Sequence, residues 1–438
     1  MESSLWQQCE ASKLSTLNSN MDKKGLIGLC KNRLRYADKT YWILFGALMI
    51  VSIIALFSAS SSLAFKQDSA LEPVMKHILF LALGAGAAFV VQLLPSKWVR
   101  VFGYVGLALS FVLLLLTFTP LGVMHNGAKR WLRLGGFEFQ PSELAKLTLL
   151  IVVSDLLSHI RTKDDEKKYF FITLAVTALI CLPIFPTNLS TTLLLGGVVF
   201  LMFFLARVHI KYWGTTLLIA IGLLIAGYFI VEKYYIEPNR AVPKMMKRAV
   251  TWTGRVDDLI EEIKAPDDEF KLTDDNYQRS LSKVAVARGG KSPVGVLPGN
   301  STMRDRLPLA YADYIFAIIV EETGMFGAIG LIFIYLAILF RACLTSSRYA
   351  DYAAMLMTMS LALMLTCQAL VSMMVVVGIG PVTGQPLPLI SRGGTSVLIT
   401  GVYFGIIMCV AREQNELHAR QQATTADSLQ EVPDIQLD

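Results

Sequence analysis

The chain has 438 residues, of which 54% are hydrophobic and only 17% charged, with a mean hydropathy of +0.52. Soluble domains carry about 25% charged residues, so this composition excludes a water-soluble globular protein and points to lipid as solvent. The net charge of +6 is explained by orientation in a membrane, and no nucleic-acid partner is implied.

The first forty residues hold Lys13, Lys23, Lys24, Lys31, Arg33, Arg35 and Lys39 but no long apolar core. They read as a cytoplasmic tail (1–40) with a basic interfacial stretch near Lys31–Arg35, and the first span is expected to act as an uncleaved anchor. Crossing the hydrocarbon core takes about 20 mostly apolar residues in a helix. Ten such runs follow: Tyr41–Phe57, His77–Leu94, Val101–Leu121, Leu144–Leu157, Tyr169–Phe185, Thr191–Val208, Trp213–Val231, Tyr314–Phe340, Ala353–Val377 and Val397–Val410. The expected fold is therefore all-α, a polytopic bundle of ten transmembrane helices over 41–412. The polar tail 413–438 is expected to be disordered. The six cysteines form no CxxC pair and the five histidines no metal-ligand spacing, so neither a disulfide framework nor a zinc site is supported.

Short cytoplasmic loops carry the Lys/Arg excess. With the N-terminus inside, the inner loops hold Lys97 and Arg100; Arg161, Lys163, Lys167 and Lys168; Arg207 and Lys211; Arg341 and Arg348. Both termini are then cytoplasmic. Two polar segments lie outside: Asn126–Glu143, and the one long loop, 232–312, with 26 of the 74 charged residues. Long loops are exempt from the charge rule and are commonly functional, so the chemistry is expected on the outer face.

Three segments there can carry it. The first is Gly127-Ala-Lys-Arg-Trp131, followed by Gln140-Pro-Ser-Glu-Leu-Ala-Lys146. Glu143 and Lys146 are three apart and share a helix face; they read either as a structural ion pair or as part of a polar interior. Lys129 and Arg130 could hold a phosphate or meet lipid head groups. The second is Leu307-Pro-Leu-Ala-Tyr-Ala-Asp-Tyr-Ile-Phe316. Its Asp313 is either a helix N-cap or a carboxylate placed to take a proton from a hydroxyl. Glu321, eight residues on, is expected about 12 Å deeper at 1.5 Å per residue, in a structural role. The third is Gly380–Ser396, whose prolines and glycines rule out continuous helix. Such backbone is tolerated at membrane depth only where protein or a polar cavity surrounds it, and its free N–H groups with Ser391 and Arg392 could receive an anion. In 241–263, Met245, Met246, Val250, Trp252 and Ile260 alternate with charges, as in an interfacial helix or an ordinary solvated one. Composition and spacing leave open an enzyme acting on a lipid-linked phosphate, a transporter of an anion, and a non-catalytic scaffold.

These motifs resemble, in order and interval, those of the SEDS (shape, elongation, division and sporulation) family: Ser58-Ala-Ser60, Gly127-Ala-x-Arg-Trp131, Gln140-Pro-x-Glu-Leu-x-Lys146, Tyr277-Gln278, Gly299-Asn-Ser301, Leu307-Pro-x-x-x-x-Asp-x-Ile-Phe316 and Leu387-Pro-x-x-Ser-x-Gly-Gly394. The likeness runs from about Lys39 to Arg412. Gly299-Asn-Ser301 and the long N-terminal tail resemble division-type members rather than elongation-type ones. The resemblance implies a peptidoglycan glycosyltransferase that polymerises lipid II at the division septum of the bacterial inner membrane. Asp313 falls on the family's essential aspartate and is the expected general base, in an inverting reaction with undecaprenyl pyrophosphate as leaving group. Arg130, Lys146, Arg248, Arg304 and Arg392 are the implied cations for the pyrophosphate. Lys129, Glu143, Gln278, Asn300, Ser301, Ser391, Gly393 and Gly394 complete the expected substrate-binding set. A divalent cation (Mg2+ or Mn2+) is a further expectation, with no organic cofactor. The implied partners are a class B penicillin-binding protein transpeptidase (FtsI-like) and divisome activator proteins (FtsQ/FtsL/FtsB-like). A lipid II flippase is the rival reading.

The sequence departs from the family pattern at four positions. Asn188 stands where an acid is common, Leu309 where Glu is frequent, Tyr311 where His is common and Arg392 where Tyr is frequent. An amide at 188 keeps hydrogen bonding without charge, so no proton transfer or metal binding is expected there.

Overall fold

The computed structural model describes residues 33–64, 72–125, 128–134, 137–235, 247–264, 277–307, 310–346, 348–349 and 351–430. The basic N-terminal residues through Lys31, and Leu309, lie outside them. In chain order the elements are α1 (Lys39–Ala64), α2 (Glu72–Gln92), α3 (Ser96–Leu116), β1 (Gly122–His125), β2 (Ala128–Leu134), β3 (Phe137–Phe139), α4 (Pro141–Ser158), α5 (Lys163–Ile184), α6 (Leu189–Leu205), α7 (Ile210–Tyr235), α8 (Lys247–Lys264), α9 (Tyr277–Gly290), α10 (Ile315–Ser346), α11 (Tyr352–Val376) and α12 (Gly394–Gln430).

Each of the ten predicted spans falls on one helix, α1–α7 and α10–α12. Eight of these are long and apolar enough to cross a membrane. The other two are α4, which carries Glu143, Lys146 and Asp155, and α6, with 17 residues. Local chemistry sets several ends. Pro141 opens α4, where its missing N–H costs nothing, and Thr162 with Asp165 forms a capping box on α5. Asn188, the amide that replaces an acid, caps α6 by accepting from Thr191 N at 3.2 Å.

The core is built on α4, α11 and α12. Of the membrane-crossing windows of α11 and α12, 72% of each is buried, against 6% for α7, so α7 is peripheral. Helices α2 and α12 approach closely through Gly84, Ala88, Gly401 and Gly405, the small-residue contact that packs helices in lipid. At one end of the bundle Asp38 pairs with Arg341 at 2.6 Å, Arg100 with Asp351 at 3.2 Å, and Asn415 donates to Tyr36 O at 3.1 Å. The two chain-terminal segments therefore share one end, as an even number of spans requires.

The all-α bundle carries one small sheet, and two expectations are corrected. The segment after α3 is a three-stranded antiparallel sheet, β1-β2-β3, with Gly122 opposite Leu132 and Leu132 opposite Phe139; Leu132 is buried and Arg133 exposed, the alternation of a strand. The polar tail is helical as far as Gln430, with Glu416 pairing with Arg412 and Arg420 one turn away on either side. Finally, Glu321 is not deeper in the membrane. Gly324, at φ 67 and ψ −160, breaks α10. Residues 315–322 are all buried, whereas Phe326, Ile329, Phe333, Leu336, Phe340 and Leu344 form an exposed stripe at helical spacing. Residues 325–346 alone span about 33 Å at 1.5 Å per residue, enough to cross the hydrocarbon. The lipid-facing part of α10 thus begins beyond Glu321. Backbone groups exposed by the break are satisfied by a turn: Val296 N and Leu297 N donate to Glu321 O and Glu322 O, both at 2.9 Å.

Candidate active site

Asp313 lies two residues before α10, at the end of the bundle that also carries the sheet and the long segment. The non-helical stretch between α11 and α12 wraps around the residues preceding it. Arg392 N donates to Tyr311 O at 3.0 Å, and Ser391 Oγ donates to Ala312 O at 2.6 Å while accepting from Leu387 N at 2.8 Å. The Arg392 guanidinium stacks over the Tyr311 ring at 5.2 Å, so two departures from the family pattern form one contact. Gly384, at φ +60, turns the chain beside the carboxylate; a Cβ there would stand 3.5 Å from Asp313 Oδ2. An L-residue pays roughly 1–2 kcal/mol for that backbone.

This stretch survives at membrane depth because buried and half-buried side chains take its carbonyls. Arg255 reaches Val382 O at 2.7 Å, Gln368 reaches Pro386 O at 3.0 Å, Tyr335 reaches Pro388 O at 2.5 Å, and Ser52 reaches Leu389 O at 2.8 Å. Arg279 of α9 takes Gly378 O at 2.8 Å. Each bond removes an orphan acceptor that hydrocarbon would penalise.

Asp313 is half-buried. Burial raises its pKa above the ordinary 3.8, and the guanidinium charges of Arg130 and Arg255 oppose that rise. Arg130 is held from β2 by its Nε donating to Thr187 O at 2.8 Å. The result is one half-buried carboxylate within the electrostatic reach of two anchored guanidiniums, Arg130 and Arg255.

The other expected site residues fall into separate groups. Glu143 and Lys146 pair at 2.8 Å, and Lys146 is 1% exposed, its Nζ also donating to Gln368 Oε1 at 3.0 Å. The pair is buried, and through Lys146 it holds Gln368, whose amide donates to Pro386 O. Ser301 is buried against Glu321, which also accepts from Thr302 N and Met303 N at 3.3 Å each. Asn300 and Arg304 bond back to Val296 O and Gly299 O, and Gly299 N donates to Glu322 at 3.1 Å. These residues tie the loop after α9 to the turn of α10 just before its break at Gly324. Ser58 donates to the same Glu322. Lys129 reaches Thr119 O at 3.4 Å, Gln278 is partly exposed on α9, Gly393 faces Ser396, and Gly394 packs on Phe80. Arg248 lies in the first turn of α8, but its side chain lies outside the described residues. Arg255 and Arg279 escaped sequence reading. For Arg255 the one available signal was the amphipathic pattern of 241–263, of which the described part lies in helix α8 while 241–246, with Met245 and Met246, fall outside the described residues.

Among the described residues no group of three His, Cys, Asp or Glu could hold a metal ion. A lone carboxylate between two guanidiniums does not fit a resident divalent cation.

The family model described as cell cycle protein, covering FtsW, RodA and SpoVE, matches residues 38–416. The chain belongs to the FtsW/RodA/SpoVE family. Among its relatives in this family, the probable peptidoglycan glycosyltransferase FtsW of Saccharophagus degradans is 30% identical over 391 residues, covering 85% of this chain and 92% of that protein. The protein of the same description from Marinobacter nauticus is 30% identical over 385 residues, 84% of this chain and 88% of that one. The FtsW/RodA/SpoVE fold is shared with a chain from a structure on the coordination of polymerization and crosslinking by a peptidoglycan synthase complex, with TM-score 0.66 and 23% identity over 86% of this chain and 98% of that one. The Thermus thermophilus rod shape determining protein RodA gives TM-score 0.56 and 22% identity, over 86% and 97%. At these identities the likeness establishes the fold.

Proposed function

We propose that this chain is a peptidoglycan glycosyltransferase that polymerises lipid II at the outer face of the bacterial cytoplasmic membrane, with Asp313 as general base. The observation that carries the reading is the half-buried Asp313 carboxylate, beside the glycine turn at Gly384 and under the positive charges of Arg130 and Arg255. In the ionised state Asp313 takes the proton of the acceptor's N-acetylglucosamine 4-hydroxyl as that oxygen attacks the donor's anomeric carbon. The bond from that carbon to the pyrophosphate oxygen breaks, and undecaprenyl pyrophosphate leaves with the electron pair. Attack opposite the α-linked leaving group inverts the centre and gives a β-1,4 bond. Fixed cations beside the base favour the charge developing on the leaving group. A desolvated carboxylate is the stronger base, and the positive charges of the two arginines favour its ionised form against burial.

The lysine and arginine distribution supports cytoplasmic termini and an outward-facing site. The Gly299-Asn-Ser301 signature supports a septal role. The peptidoglycan synthase complex among the structural neighbours supports a class B penicillin-binding protein as partner, with divisome activators acting on both. The experiment is polymerisation of labelled lipid II by the purified chain with its transpeptidase. Asp313→Asn is expected to abolish polymer while the chain stays folded, with a melting temperature no lower than that of the unaltered protein. Full activity in that variant would remove Asp313 from the chemistry, and transfer of lipid II between leaflets without polymer would favour the flippase.

A further inference from the structure

Arg255 belongs to none of the motifs that carry the family resemblance. It sits in the middle of α8, in the long segment, 58 residues before Asp313 in sequence. Its Nη1 donates to Val382 O at 2.7 Å, two residues before Gly384, whose turn borders the Asp313 carboxylate. Helix α8 is itself fixed to α7 by Tyr228, which donates its hydroxyl hydrogen to Asp257. Arg255 is therefore a strut between two segments that meet nowhere near each other in sequence.

We propose that Arg255 is a positioning residue for the reaction: by holding the carbonyl of Val382 it fixes the glycine turn against Asp313, and by its charge it keeps the base ready to accept a proton. The proposal rests on the reading of Asp313 as general base. Two separable properties of the guanidinium are invoked. The hydrogen bond sets geometry, and misplacing a catalytic group by an ångström is worth about 100-fold in rate. The charge sets protonation, because a cation near a carboxylate favours the ionised form. The charged and titratable groups facing Asp313 are Arg130 from β2, Arg255 from α8 and the adjacent Tyr314 phenol, which senses Arg255 and Arg279 in turn. Arg130 is anchored independently on Thr187 O, so removing Arg255 leaves one cation in place and the site half-neutralised.

Three variants separate the properties in the full chain with its transpeptidase, using labelled lipid II and rates measured from acid to alkaline pH. Arg255→Gln keeps a donor for Val382 O and loses the charge. Its rate at the alkaline plateau is expected to stay near that of the unaltered protein, and its acid limb to move toward neutral pH. Arg255→Lys keeps the charge and is expected to restore the acid limb. Arg255→Ala loses both, so its plateau rate is expected to fall roughly tenfold or more, in kcat rather than KM, with the acid limb displaced as in the Gln variant. Melting temperatures check that each variant is folded. Acid limbs and plateau rates unchanged in all three would overturn the proposal, as would a Gln variant whose acid limb coincides with the unaltered one. A failure of the underlying reading looks different: Asp313→Asn would then polymerise at full rate, whatever Arg255 does.

Discussion

Replacing Lys146 by Met tests whether the charges buried in α4 are structural. Lys146 Nζ lies 2.8 Å from Glu143 Oε1 and 3.0 Å from Gln368 Oε1, and the lysine and glutamate side chains are 1% and 7% exposed. Met has nearly the volume of Lys, so the change removes a charge and little else. It leaves Glu143 buried without its partner, which costs roughly 3–5 kcal/mol, and takes from Gln368 a hydrogen bond worth about 1 kcal/mol. Replacing both members, Lys146→Met with Glu143→Met, removes the stranded charge, and apolar substitutes for buried pairs are often neutral or better. The assay is unfolding of the purified protein in detergent, comparing the unaltered chain, the single variant and the double. The single variant should lose several kcal/mol and the double should regain most of it. A single variant within about 1 kcal/mol of the unaltered protein, or a double no more stable than the single, refutes the reasoning. The folded double variant should also polymerise lipid II within about tenfold of the unaltered rate, because Lys146 meets the site only through Gln368 and Pro386.

The pH dependence of polymerisation should show an acid limb above the ordinary carboxylate value of 3.8, because burial raises the Asp313 pKa and activity needs the ionised form. The same linkage makes the folded state lose stability as pH rises through that raised pKa, so Asp313→Asn should melt higher than the unaltered chain at neutral pH and not below it. Gly401→Leu should disrupt the α2–α12 contact: its Cβ alone would stand 2.3 Å from Gly84 O, an overpacking that costs about 1–3 kcal/mol or more. Gly86→Ala, with open space around its Cβ, is the control and should melt at or above the unaltered temperature.

Apolar run length marked the ten bundle helices, eight of them long and apolar enough to cross a membrane, because in lipid a helix must satisfy its backbone internally and the pattern is written residue by residue. The Lys and Arg distribution gave an orientation, and Asp313 stood out through the motif around it. Asn188 was legible as an uncharged hydrogen-bonding group, and it serves as a cap. Other features needed the folded chain. Whether Lys146 faces ligand or glutamate depends on which helices surround α4. The polar tail 413–438 lacks an apolar stripe, so its helix to Gln430 rests on Glu416 pairing with Arg412 and Arg420 and on Asn415 meeting Tyr36. The break at Gly324 changes the depth of Glu321 only because a distant turn, Ser292 to Leu297, accepts the opened backbone. Arg255 became visible last. A charge inside a long polar segment has no local mark that tells it from its neighbours, and only packing brought it to a carbonyl 127 residues away.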